Sequence, residues 1–93
     1  MSDRKNEAYT NEKVGLISYH LGNYHKAKEY LQKALAIRIQ IGDKKGEASS
    51  YGTLGTVSQS VGEYDKAIEY LEKALVIRIQ IGDKEGRQKI TEI

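Results

Sequence analysis

The chain of 93 residues contains no cysteine and no proline. Without cysteine there is no disulfide, no thiol nucleophile and no thiolate metal site. A reducing, cytoplasmic setting is the corresponding expectation. Without proline, nothing forbids long helices. No apolar run approaches the roughly 20 residues that a membrane-spanning helix needs. The opening stretch, MSDRKNEAYTNEK, lacks the apolar core of a secretory leader. One-sided charge is missing as well. Charged residues make up 30% of the chain but leave a net charge of only +2, because Lys and Glu interleave throughout. No basic face of the kind that grips nucleic acid is built this way. Catalytic patterns are also absent. His20 and His25 are five positions apart, not the four that place two metal ligands on one helix face. Ser49, Ser50, Ser58 and Ser60 have no His/Asp arrangement around them. The glycines at 42, 46, 52 and 55 lie in a stretch without the Gly-Lys-Ser/Thr ending of a phosphate loop. The expectation is a chain with no enzymatic activity, no cofactor and no bound metal.

What the sequence does contain is a repeat. Of the 25 positions in Gly22–Gly46, 19 are identical in Gly62–Gly86, forty residues later. Self-similarity of this order means one structural unit used twice. The unit reads as a pair of helices. A first helix is expected from about Lys5 to His20, with Ala8, Val14, Ile17 and Leu21 near helical spacing. Gly22-Asn23 ends it, since glycine tolerates the left-handed conformation of helix ends. The second helix, about Tyr24 to Ile41, carries the stripe Tyr24, Ala27, Leu31, Ala34 and Leu35, with Glu29 and Lys33 one turn apart on its outer side. Gly42 ends it and Asp43 caps the next helix.

The third helix, about Lys44 to Ser60, is rich in Ser, Thr and Gly, which are poor helix formers. Its narrow stripe is Tyr51, Leu54, Val57 and Val61. Helicity here is expected only through packing by both neighbours. After Gly62-Glu63, the fourth helix, about Tyr64 to Ile81, repeats the second with Tyr64, Ala67, Ile68, Leu71, Ala74 and Leu75. Glu69 and Lys73 repeat its outer pair. Gly82 and Asp83 are expected to repeat the stop and cap. A partial fifth helix over 84–93 would then pack Ile90 and Ile93 back as a terminal cap. The runs ALAIRIQI (34–41) and ALVIRIQI (74–81) alternate like strands. Unbroken helical periodicity before them favours the ends of long helices. The fold class is therefore all-α: one domain over 1–93, with a first unit at about 5–43, a second at about 44–83 and the partial helix beyond.

Particular residues point to a family. In the second unit Tyr51, Leu54, Gly55, Ala67, Leu71 and Ala74 fall where the tetratricopeptide repeat signature places an aromatic, Leu, Gly, Ala, a large apolar residue and Ala. In the first unit Val14, Gly15, Ala27, Leu31 and Ala34 occupy the same places, with Asn11 replacing the aromatic. The Leu-Gly-x-Tyr turn appears at Leu21-Gly22 with Tyr24, and as Val61-Gly62 with Tyr64. Over about residues 8 to 86 the chain resembles the tetratricopeptide repeat (TPR) family. The forty-residue period, with RIQIGDKxG where a proline is usual, is similar to the long-repeat subtype of Pins/LGN-type adaptors. The resemblance implies a right-handed α-solenoid of antiparallel helix pairs and a non-catalytic role in binding proteins. One departure concerns packing. Ser18 and Ser58 stand where these repeats carry a bulky aromatic, so Ser58→Tyr is expected to raise the melting temperature.

The resemblance further implies a concave groove lined by the first helix of each pair. The matching positions are Tyr9, Glu12, Lys13, Leu16, Tyr19 and His20, then Ser49, Gly52, Thr53, Thr56, Gln59 and Ser60, with Lys89 opening a third unit. Glu12, Leu16 and Thr53 replace the Lys and Asn of the family's carboxylate-gripping mode, which argues against that mode. An extended or helical peptide with an apolar anchor near Tyr9, Leu16 and Tyr19 suits the rest. The alternative is a structural, self-assembling role for an engineered or truncated array. Exposed repeat ends would then dock on another copy as a homodimer, or helices flanking Gly42–Gly46 would exchange between chains.

Overall fold

The structure, a computed structural model, describes the backbone of residues 3–91 and the side chains of residues 3–82. The chain forms four helices: α1 (Asp3–His20), α2 (Tyr24–Gln40), α3 (Lys44–Ser60) and α4 (Tyr64–Thr91). No strand occurs among the described residues. Both strand-like runs are helical apart from Ile41, which caps α2, since the ladder continues unbroken into them from the preceding turns. The array is all-α, and each helix packs mainly against its neighbours in the chain. Arg4, near the start of α1, hydrogen-bonds Gln40 at the end of α2, so the first pair runs antiparallel.

The three turns have one geometry. Gly22, Gly42 and Gly62 hold φ of 84, 75 and 85°, a region closed to most side chains. At each turn the glycine N–H reaches back three residues and the next N–H reaches back five, as in Asn23 N to Ser18 O at 2.8 Å and Asp43 N to Arg38 O at 2.9 Å. This is the Schellman closure, which satisfies carbonyls left over at a helix end. Asn23 then caps α2 by accepting from Lys26 N (3.3 Å), and Asp43 caps α3 by accepting from Gly46 N (2.9 Å). Glu63 behaves differently: its carboxylate takes the Lys28 ammonium at 2.5 Å, tying the third turn to α2.

Two glycines set the spacing within each pair. A Cβ on Gly15 would stand 2.8 Å from Leu31 Cγ, and one on Gly55 2.8 Å from Leu71 Cγ. Bare backbone at these positions lets each leucine seat directly on the partner helix. The centre of the core is Ala27 and Leu31 of α2, Leu54 and Val57 of α3, and Tyr70 of α4. Leu31, Leu54 and Val57 are 0–1% exposed. Each such side chain stabilises the fold by about 1.5–3 kcal/mol through burial. This packing explains why a segment rich in Ser, Thr and Gly is helical at all.

Three expectations change. Gly82 does not end α4, which runs on through Asp83 to Thr91, so among the described residues the helix expected to begin at 84 is a continuation of α4. At Gly42 the break is held by the Asp43 cap and by Leu54 and Val57 packing back on Leu31. No comparable packing among the described side chains rewards a turn at Gly82, and helical hydrogen bonding continues. The Ile90 side chain and Ile93, expected to form a cap, lie outside the described residues. Second, the outer stripes are half bare. Ile17 of α1, Leu21 of the turn after it, and Ile68, Leu71 and Leu75 of α4 are 43–79% exposed. Third, Ser58 is fully enclosed, so a tyrosine there must displace its neighbours, and Ser58→Tyr should lower the melting temperature through overpacking instead of raising it. Ser18 Oγ donates to Val14 O at 2.9 Å, whereas Ser58 Oγ is buried with no partner.

Candidate functional site: the α1–α3 groove

Residues of α1, α3 and α4 border a recess of about 490 Å³. From α1 it takes Leu16, Tyr19 and His20. From α3 it takes Ser49, Gly52, Thr53, Thr56 and Val57, and from α4 Leu71 and Arg78. The α1 wall is apolar and aromatic. The Tyr19 ring lies 5.4 Å from Tyr24 and 5.5 Å from His20, and its hydroxyl meets Ser60 Oγ at 3.0 Å. Tyr19 is therefore fixed from both sides and offers a preset surface.

The α3 wall is polar in a particular sense. Thr53 Oγ1 donates to Ser49 O at 3.0 Å, Thr56 Oγ1 to Gly52 O at 3.2 Å and Ser60 Oγ to Thr56 O at 3.2 Å. With their protons committed to the helix, these hydroxyls retain lone pairs for an incoming donor. They suit backbone N–H groups of a bound segment.

Glu12 has another task. Its carboxylate accepts two parallel hydrogen bonds from Arg38, each 3.1 Å, and the same guanidinium donates to Ser50 Oγ at 3.0 Å. Both side chains of the pair are largely buried, at 11% and 15% exposure. Arg38 thus joins α1, α2 and α3, and Glu12 is absent from the recess. The second unit keeps the arginine as Arg78 but replaces the acid by Gly52. Arg78 Nη2 lies 3.5 Å from where a Gly52 Cβ would stand. Among the described residues no carboxylate pairs with Arg78. The groove floor therefore carries a guanidinium that no carboxylate among the described side chains compensates.

Seven of the residues named from sequence (Leu16, Tyr19, His20, Ser49, Gly52, Thr53 and Thr56) line one recess. Tyr9, Glu12, Lys13, Gln59 and Ser60 do not. Tyr9 is 56% exposed, with the Lys13 ammonium 5.1 Å from its ring centroid. Gln59 is exposed on α3. The Lys89 side chain lies outside the described residues. His20 and His25 border different recesses. Arg78 and Leu71 were missed. The signal for Arg78 was the repeat itself, in which RIQI recurs while Glu12 becomes Gly52. Among the described residues no cluster of three or more His, Cys, Asp or Glu could hold a metal ion. No helix there is long and apolar enough to cross a membrane.

The profile of the tetratricopeptide repeat family matches residues 6–80. The chain belongs to the tetratricopeptide repeat family. No curated protein matches the sequence. TPR domains are scaffolds that generally mediate protein–protein interaction by binding peptides or proteins. In this TPR chain the Gly15–Leu31 and Gly55–Leu71 contacts are the packing that holds each helix pair together.

Proposed function

We propose that this TPR domain is a non-catalytic scaffold that holds a peptide or protein segment in the α1–α3 groove. The observation that carries this reading is the recess itself, which combines three recognition elements. Leu16 and Tyr19 offer an apolar seat, the α3 hydroxyls offer acceptors, and Arg78 offers a bidentate donor that no carboxylate among the described side chains occupies. An arginine fork of this kind matches a carboxylate. The favoured ligand is a segment with one large apolar side chain and an Asp or Glu, its backbone N–H groups facing α3. The forty-residue period supports assignment to the long-repeat subtype found in Pins/LGN-type adaptors. Two units, about 5–43 and 44–83, form the binding body. The absence of cysteine fits a cytoplasmic workplace, and the interleaved charge speaks against nucleic acid as a partner.

Selection from a random peptide library, followed by titration calorimetry, tests the proposal. Selected peptides should be enriched in an acidic and a large apolar residue. Arg78→Gln and Leu16→Ser should each weaken binding at least tenfold. Peptides that bind both variants as well as the parent place recognition elsewhere. A homodimer through the repeat ends is the second reading, favoured by the bare apolar faces of α1 and α4.

A further inference from the structure

The two ends of the array are the two halves of an interface that the chain already contains. In the middle of the protein, α3 covers α2: Leu54 and Val57 close over Leu31, which is 0% exposed. Forty residues on, the counterpart of Leu31 is Leu71, and it is 43% exposed. Its neighbours Tyr64 and Leu75 are 63% and 56% exposed, where Tyr24 and Leu35 are partly buried against the core. So α4 presents the α2 side of the contact without its cover. At the other end, α1 presents the α3 side. Ile17 corresponds to Val57, yet is 59% exposed where Val57 is 1%. Val14 corresponds to Leu54. The polar part of the contact is duplicated too. Arg38 of α2 donates to Ser50 of α3 at 3.0 Å, and their counterparts at the ends are Arg78 of α4 and Thr10 of α1.

We propose that copies of this chain stack head to tail, the α1 face of one on the α4 face of the next. The α2–α3 packing supplies the geometry and the register. Val14 and Ile17 of the incoming α1 take the roles of Leu54 and Val57 over Leu71 and Leu75, and its Thr10 hydroxyl meets Arg78. The course of α4 is consistent with this occupant. Because the helix continues through Gly82 to Thr91, no turn within it folds residues 84–91 over the α4 face, as residues 44–60 fold over α2. The contact is heterologous, joining two different patches, so each added copy exposes a fresh end. It therefore makes open assemblies, which distinguishes it from the closed homodimer of the second reading. The stacking contact shares Leu71 and Arg78 with the recess, but Ile17 and Leu75 do not line it, so variants at those two positions separate stacking from peptide binding.

Ile17→Glu and Leu75→Glu, both at exposed positions, test it by multi-angle light scattering from micromolar to millimolar protein. The parent's mass should climb with concentration past twice the 10.5 kDa chain. Each variant alone should stay at the single-chain mass, because every potential contact then includes one blocked face. An equimolar mixture should give a two-chain complex that grows no further, since Ile17→Glu keeps a sound α4 face and Leu75→Glu a sound α1 face. A parent that stays at one chain mass throughout overturns the proposal. So does association of Ile17→Glu as strong as the parent's, which would mean that α4 faces pair with each other. A mixture that forms no complex also overturns it. If either glutamate variant loses helicity, Ile17→Gln and Leu75→Gln repeat the same three measurements.

Discussion

The two groove-spacing glycines allow a test with an internal control. A Cβ at Gly15 would stand 2.8 Å from Leu31 Cγ, 3.0 Å from its Cδ2 and 3.2 Å from Ala27 O. At Gly55 the corresponding distances are 2.8, 2.9 and 3.3 Å to Leu71 and Ala67. The local clash is the same, but the freedom of the leucine is not. Leu31 is 0% exposed beneath Leu54 and Val57, whereas Leu71 is 43% exposed and can swing outward. Alanine gains about 1 kcal/mol over glycine in a helix interior. Overpacking a filled site costs about 1–3 kcal/mol. Gly15→Ala bears that cost in full and should lose about 1 kcal/mol net. Gly55→Ala largely escapes it and should be neutral or gain up to about 0.5 kcal/mol. The gap between the variants, about 1–2 kcal/mol, corresponds to roughly 4–8 °C in Tm per kcal/mol for a domain of this size. Urea and thermal melts followed by far-UV circular dichroism at micromolar protein measure it, with equal m-values as the control. Equal shifts for the two variants, or a more stable Gly15→Ala, would refute the reasoning, because they would mean that Leu71 is as confined as Leu31.

Further outcomes rest on single residues. Ser58→Ala should stabilise the protein by about 1 kcal/mol, by removing a buried unpaired hydroxyl, while Ser18→Ala should gain less because Ser18 Oγ is bonded to Val14 O. Urea melts that show a loss at Ser58 would reveal a partner for its hydroxyl. Gly82→Ala should raise helicity and stability by about 1 kcal/mol, since Gly82 lies within α4. Gly42→Ala, at φ 75°, should cost about 1–2 kcal/mol; matching effects at the two sites in circular-dichroism melts would contradict a continuous α4. The Lys28 ammonium, hydrogen-bonded to Glu63, holds that carboxyl below its ordinary value of 4.5. A depressed folded-state value means that the contribution is complete above 4.5 and fades as the pH falls from there through the lowered value. Glu63→Gln should therefore have a shallower loss of stability on acidification over that range, and superimposable acid limbs would show that the pair has no energetic role.

How much of the molecule was legible in the sequence varied from element to element. Helix pairing was, because a glycine able to hold positive φ stands at each of the turns at 22, 42 and 62. The end of α4 was not. Residues 41–44 and 81–84 both read IGDK, yet one run turns and the other stays helical. The turn at Gly42 depends on α3 returning onto Leu31, which is a tertiary event that no four-residue pattern encodes. The groove was partly legible for the same reason. Leu16, Tyr19 and Thr53 follow from helix phase alone. Glu12 shares that phase but is claimed by Arg38, 26 residues away on another helix. The fate of a charged side chain depends on which opposite charge the fold brings near it, and Gly52 shows how one substitution releases the counterpart arginine.

Packing each helix chiefly on its chain neighbours has a kinetic consequence. Native contacts close short loops, so little chain entropy is lost before they form, and folding should fall in the microsecond-to-millisecond range of low-contact-order proteins. Opening should be graded from the outside inwards. Amide exchange should be slowest where α2 meets α3 around Leu31, Leu54 and Val57, and faster toward the outer turns of α1 and α4. Whatever covers an end then slows exchange throughout that terminal helix, well beyond the residues it touches.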